Sequence, residues 1–149
     1  TLAVLMDRVS PLRKHEILAT DFDRGALKTA RAGGPYSADD VKNISPDDLK
    51  KYFQQNGKHY FVKEKLRNTI RFQEQDLLSD RFESGFDLIV CRNVVIYFTR
   101  PIKEELYSKF HRALDEEGIL FLGGTEIIPQ SLKLGYRNVG GSVYKKIHV

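Results

Sequence analysis

Arg92 and Asn93 interrupt an otherwise apolar run, FDLIVCRNVVIYF, at residues 86–98. A guanidinium and a carboxamide that break a buried strand must find partners or face a ligand. The run begins as a strand that is apolar on both faces, which suits the middle of a covered parallel sheet. In such sheets ligands sit just beyond the carboxyl ends of the strands. Tyr97, four residues on from Asn93, reads either as core or as a ring whose hydroxyl needs a partner near the same end. The plainer alternative for the pair is a strand emerging into solvent.

Three acids also fall where strands are expected to end. Asp21 follows HEILAT and precedes a helix. In nucleotide-binding α/β folds an acid at the end of the second strand binds ribose hydroxyls, about 20 residues after a Gly-rich loop. Residues 1–24 contain no Gly, so on this reading the first strand and its loop are expected upstream of Thr1. The other reading is that Asp21 merely helps to cap the helix at residue 24, and the spacing leaves both open. Asp76 ends a further strand, where its carboxylate could accept from an adenine amino group with Leu77 packing on the base. On the residues alone, a solvated loop acid is the stronger reading. Glu126, after Gly123 and Gly124, reads as a surface acid. Lys63, Lys65, Arg67 and Arg71 form a basic run, either a solvated face or a surface for an acidic protein partner. His15, His59, His111 and His148 are isolated and no cysteine pair exists, so there is no metal signature. Neither a nucleophile elbow nor a phosphate-gripping loop is present.

Composition sets the outer limits. At 149 residues the chain is one domain at most, with a net charge of +4 and acids and bases interspersed. That balance makes no case for nucleic acid as a partner. The lone Cys91 lies inside the apolar strand and excludes a disulfide framework. No apolar run is long enough for membrane insertion. The opening, TLAVLMDRVSPLRKHE, lacks the order of a signal peptide, which leaves a cytoplasmic location as the default.

The elements that must position these residues follow from local signals. Residues 1–9 read as the end of an amphipathic helix with Leu2, Leu5, Met6 and Val9 on one face. HEILAT at 15–20 is a strand, and Asp23 caps a helix over 24–32 that Gly33-Gly34-Pro35 ends. From Gly34 to about Arg71 the character changes to a small insert. Ser45-Pro46-Asp47-Asp48 starts a helix with Leu49, Tyr52 and Phe53 as its apolar face. Asn56-Gly57 marks a turn, and Tyr60, Val62, Leu66 and Ile70 suggest short antiparallel strands. Residues 70–78 contain a strand ending near Asp76. Pro101 opens a helix with Ile102, Leu106, Phe110 and Ala113 in one stripe, which Gly118 closes. Residues 119–122 form a buried strand, and residues 132–147 a terminal hairpin. Strand and helix alternate, so a mostly parallel sheet is expected.

ATDFD at 19–23, DLL at 76–78, FDLIVCRNVVIYF and GGTE at 123–126 together closely resemble the catalytic domain of the chemotaxis receptor methyltransferase (CheR) family. The insert, including SPDDLKKYF at 45–53, matches in place and character. The resemblance covers nearly the whole chain. It implies a class I S-adenosylmethionine-dependent methyltransferase fold: a Rossmann-like α/β sheet, truncated at its N-terminus, with a small inserted antiparallel β-subdomain at about 34–71 and a C-terminal β-hairpin. It also implies O-methylation of glutamate side chains on the cytoplasmic domain of bacterial chemoreceptors, the means of chemotaxis adaptation, with S-adenosylhomocysteine as product. On this resemblance Asp21 holds the cofactor ribose, and Asp76 and Leu77 contact the adenine. Arg92 and Asn93 line the methionine and substrate end, and Tyr97 lies near the methyl transfer. The insert corresponds to the subdomain facing the receptor, although the QQNGKH turn is short for a loop that grips a receptor tail peptide.

The resemblance also sets expectations for the start. The family has a Gly-containing acidic loop after a central first strand, and TLAVLMD reads as if cut just beyond it. A missing central strand would leave a gap of two strand spacings, roughly 9–10 Å. The HEILAT and FDLIVC strands would each then expose an unpaired edge, open to dimerisation or strand swapping. Such a chain should bind cofactor weakly and be inactive by itself. Two other classes stay open on residues alone: a nicotinamide-dependent dehydrogenase, which would share Asp21 but not the hairpin or CRNVVIYF, and a non-catalytic receptor-binding module.

Overall fold

The computed structural model describes residues 1–148 and divides the chain into two compact units, Thr1–Asp76 and Leu77–Val149.

The first unit begins with α1 (Leu2–Val9), followed by β1 (Ile17–Asp21) and α2 (Arg24–Ala32). The Asp23 carboxylate accepts from the Gly25 and Ala26 N–H groups at the start of α2. Gly33 ends it at φ 78°, a left-handed conformation that a side chain would disfavour. The insert then supplies α3 (Ala38–Val41), α4 (Pro46–Tyr52), β2 (Phe53–Asn56), β3 (His59–Val62) and α5 (Glu64–Arg67). β2 and β3 pair antiparallel about the Gly57-Lys58 turn, as the Asn56-Gly57 signal predicts. Leu66, expected in a strand, is buried on α5 instead. α3 escaped the sequence reading, and a Ser37–Asp40 capping box holds it. β4 (Ile70–Glu74) pairs parallel with β1, bringing Asp21 opposite Glu74.

Ala3, Val4, Tyr52 and Leu66 form the core of this unit. The predicted apolar face of α1 is therefore shifted: Ala3 and Val4 are buried, whereas Leu5 and Val9 are exposed. Contact with α4 and α5 selects the small residues. Asp7 sets the same orientation by accepting from the Tyr52 hydroxyl (2.6 Å) and Lys51 Nζ (2.9 Å), which hold its carboxyl below the usual range. The basic run is also partly structural. Lys63 Nζ donates to the carbonyls of Lys50 and Lys51, and Arg67 donates to that of Ala32.

The second unit contains β5 (Phe86–Cys91), a 3₁₀ turn (Val95–Tyr97), α6 (Arg100–Ala113), β6 (Leu114–Leu122), and the hairpin β7 (Tyr136–Gly140) and β8 (Val143–Lys146). The sheet order is β5-β6-β8-β7, with β5 and β6 parallel and the hairpin antiparallel. Leu106, Tyr107, Phe110 and Ala113 on α6 pack with Leu120, Leu122 and Tyr136. The buried Tyr136 hydroxyl donates to the Tyr107 carbonyl at 2.9 Å. α6 ends at Ala113, earlier than Gly118. The chain is already extended at Leu114, and the β5–β6 register slips between Phe86 and Leu88. Gly118 sits in the resulting bend, where a Cβ would stand 2.9 Å from the Asp115 carbonyl.

Among the described residues, β1 is hydrogen-bonded only to β4 and β5 only to β6, so each has one unpaired edge. Val90 on β5 is exposed, in contrast to the double burial its apolar neighbours suggest.

Candidate active site

In the first unit, Asp21 is the last residue of β1 and Asp76 comes two residues after β4, so both stand at one end of that ladder. Asp21 Oδ1 accepts from the Asp23 N–H at 2.9 Å, and Oδ2 has no partner among the described residues. Asp23, not Asp21, caps α2. The capping reading of Asp21 therefore reduces to one bond that shapes the turn, with half of the carboxylate left over. Phe22, beside it, is 71% exposed, an apolar ring that sequence reasoning passed over. Beyond Asp21, the strand end is closed by Arg24, whose Nε sits 2.9 and 2.8 Å from the two Glu74 oxygens. Asp76 is half-buried and engaged with other groups, not a bare solvated acid.

In the second unit, Leu77 packs against the core cluster, and its carbonyl accepts from Lys109 Nζ at 2.9 Å. Arg92 follows β5 directly, exposed, with its guanidinium 5.6 Å from the centre of the Phe121 ring. Asn93 adopts φ 59°, a left-handed conformation that Asn tolerates better than most residues. Tyr97 ends the 3₁₀ turn and is 81% exposed, and its hydroxyl has no partner among the described residues. Tyr97 is therefore not core. Arg92, Asn93 and Tyr97 are exposed and lie on one short loop.

Glu126 departs most from the sequence reading. It is 5% exposed, not a surface acid. Its Oε2 accepts from the N–H groups of Gly123 (2.6 Å) and Asn93 (3.1 Å), and Oε1 accepts from Ile96 N–H (3.1 Å). Gly123 makes room for it: a Cβ there would stand 2.5 Å from Oε2. A Gly at the end of a buried strand, marking a close approach, was the available signal. Burial and, second, the Glu126 charge push the Cys91 thiol up to about 12. Glu126 also lines a cavity of about 280 Å³ with Ile96, Arg100, Lys103 and Ile127 on its walls. Among the described residues no group of metal-ligating side chains occurs, and no helix is long and apolar enough to cross a membrane.

Each unit pairs two strands in parallel across a helical connection, β1 with β4 and β5 with β6, the pattern of a Rossmann-like α/β fold. Residues 1–144 match the family model described as CheR methyltransferase, SAM binding domain. A chemotaxis protein methyltransferase from Listeria monocytogenes is 40% identical over 146 residues, covering 98% of this chain and 55% of that protein. The chemotaxis protein methyltransferase of Escherichia coli is 34% identical over 117 residues, covering 74% of this chain and 41% of that protein. A TehB-like SAM-dependent methyltransferase from Corynebacterium glutamicum superposes with a TM-score of 0.45 at 18% identity, covering 97% of this chain and 84% of that one. The chain belongs to the CheR methyltransferase family and to its SAM-binding domain. It spans about half the length of the relatives it matches. The fold is thus that of a class I methyltransferase, and the cofactor is S-adenosylmethionine. The residues present fit that group at its ribose end, where Asp21 offers an unengaged carboxylate oxygen to a diol beside the exposed Phe22 ring. Membership of this family removes the dehydrogenase reading.

Proposed function

We propose that the full-length protein transfers the methyl group of S-adenosylmethionine to glutamate side chains on the cytoplasmic domain of bacterial chemoreceptors. The reading is supported by the names of the relatives and carried by one local observation. An exposed arginine and a tyrosine hydroxyl with no partner among the described residues share the short loop at the end of β5.

The chemistry asks little of the protein in proton transfer. A glutamate carboxylate has an unperturbed pKa of about 4.3, so it is already a nucleophile at neutral pH. The sulfonium supplies an activated methyl group. A carboxylate oxygen would bond to the methyl carbon as the carbon–sulfur bond breaks, and the two opposite charges would cancel. No general base is needed. What remains is alignment and exclusion of water, worth up to about 7–11 kcal/mol. Asp21 would hold the ribose, Asp76 and Leu77 the adenine, and Arg92 and Asn93 the methionine and substrate end. A bidentate Arg92 clamp would quench the nucleophile, so Arg92 contacts the oxygen that does not attack, directly or through water. Tyr97 donates to the same oxygen. The insert at 34–71, with its short Gly57-Lys58 turn, faces the receptor.

Incubating the full-length protein with methyl-labelled S-adenosylmethionine and a purified chemoreceptor cytoplasmic domain tests this. The expected result is receptor-bound label that base releases as methanol, as a carboxyl ester requires. Label that resists base, or none on the receptor, would overturn the proposal.

A further inference from the structure

We infer that Glu126 is a positioning residue: a buried carboxylate that fastens the loop carrying Arg92, Asn93 and Tyr97 to the end of β6. The inference rests on the proposed function for what that loop does, and on geometry for the fastening itself. A buried carboxylate is costly unless it is paired or hydrogen-bonded. Glu126 has no Lys or Arg within ion-pair distance among the described residues, and its charge is met by three backbone N–H donors. These donors come from the strand end (Gly123), the first loop residues (Asn93) and the 3₁₀ turn (Ile96). Its own N–H donates to the Gly123 carbonyl at 2.9 Å, closing the turn that aims the side chain.

The loop has little else to fix it. Among the described residues, Arg92 makes the Phe121 ring contact alone, and the Tyr97 side chain has no hydrogen-bond partner. Among the described residues neither side chain is held by its own hydrogen bonds, so their positions are inherited from the backbone that Glu126 grips. Asn93 sits at a left-handed φ of 59°, which Asn tolerates, and the Glu126 bond to its N–H fixes the backbone at that turn. Gly123 gives an independent sign of the same arrangement. Its φ is unexceptional, so glycine is required there for space: a Cβ would stand 2.5 Å from Glu126 Oε2 and 2.8 Å from Asn93 Oδ1.

Glu126→Gln in the full-length protein tests this by amide exchange and by kinetics. The carboxamide oxygen can keep the Gly123 and Asn93 donors, whereas the NH₂ group meets the Ile96 N–H, donor against donor. Exchange followed by NMR should therefore show loss of protection at Ile96 with Asn93 and Gly123 still protected. Methylation kcat should fall about 10- to 100-fold, the scale of small misplacements at a reacting centre. Affinity for S-adenosylhomocysteine should change by less than about threefold, a shift small beside one tenfold step. Unchanged Ile96 protection, or unchanged kcat in the folded variant, would overturn the inference. If the variant unfolds, Gly123→Ala presses on the same contact from the other side and is judged by kcat and by loss of protection at Asn93. A wild-type protein that methylates no receptor would count against the proposed function, and the exchange pattern would still decide whether the fastening exists.

Discussion

Tyr97→Phe separates a functional hydroxyl from a structural one with unusual clarity. The ring is 81% exposed and the hydroxyl has no partner among the described residues, so folding loses nothing when that oxygen goes. Surface changes of this kind move stability by about 0.5 kcal/mol or less. Any larger consequence must come from the bound state. If the hydroxyl donates to the spectator oxygen of the substrate carboxylate, the bond lost is one to a charged acceptor, worth about 1.5–3 kcal/mol. That corresponds to roughly a 10- to 150-fold change in rate if it is spent on alignment, at 1.4 kcal/mol per tenfold. The assay is steady-state methylation of a receptor cytoplasmic domain by full-length wild type and variant, beside calorimetric titration with S-adenosylhomocysteine and a thermal melt. The expected pattern is a lower kcat, an unchanged cofactor Kd and an unchanged Tm. Equal turnover would remove Tyr97 from the mechanism. A weaker cofactor Kd with normal kcat would move it to the cofactor site instead.

Three further outcomes follow from the structure. Cys91 should stay unreactive towards thiol reagents in the native state through pH 9, because its thiol is pushed up to about 12. The unfolded thiol loses its proton first, so stability should fall as pH rises from about 9 towards 12, and Cys91→Ala should remove the lower part of that decline in pH-dependent melts. Lys63→Met should lower Tm and Lys65→Met should not. Only Lys63 bonds the Lys50 and Lys51 carbonyls at the end of α4, and comparative denaturant titrations would show the difference. Gly118→Ala should cost about 1–3 kcal/mol in the same assay, because its Cβ would press on the Asp115 carbonyl and the Leu114 side chain.

Where backbone chemistry is local, the residues announce the element. Asp23 and Gly33 bracket α2 because a carboxylate acceptor and a left-handed Gly act within one turn. Ser45-Pro46 opens α4 and Asn56-Gly57 turns the hairpin for the same reason. The stripe on α6 was legible because its period matches the helix. Features decided by distant partners were not. α1 buries Ala3 and Val4 in place of the bulkier Leu5 and Val9, since what it packs against lies some fifty residues on, at Tyr52 and Leu66. Lys63 and Arg67 read as a basic face, yet their cations are tied to backbone carbonyls. Gly118 looked like a helix stop and instead relieves a register slip between β5 and β6. In the site, Arg92, Asn93 and Tyr97 stood out as polar interruptions of an apolar run. Glu126 did not, because its partners are amide protons, and every residue but proline carries one.

The central claim is that the loop after β5 serves methyl transfer to receptor glutamates. The most direct measurement is peptide mapping of a receptor cytoplasmic domain after methylation by the full-length protein, wild type against Arg92→Ala, by mass spectrometry. The account predicts methyl esters on glutamate side chains with the wild type and strongly reduced occupancy at the same glutamates with the variant, while the two proteins melt alike because Arg92 is exposed. Methyl groups on residues other than glutamate, or full occupancy with Arg92→Ala, would contradict it.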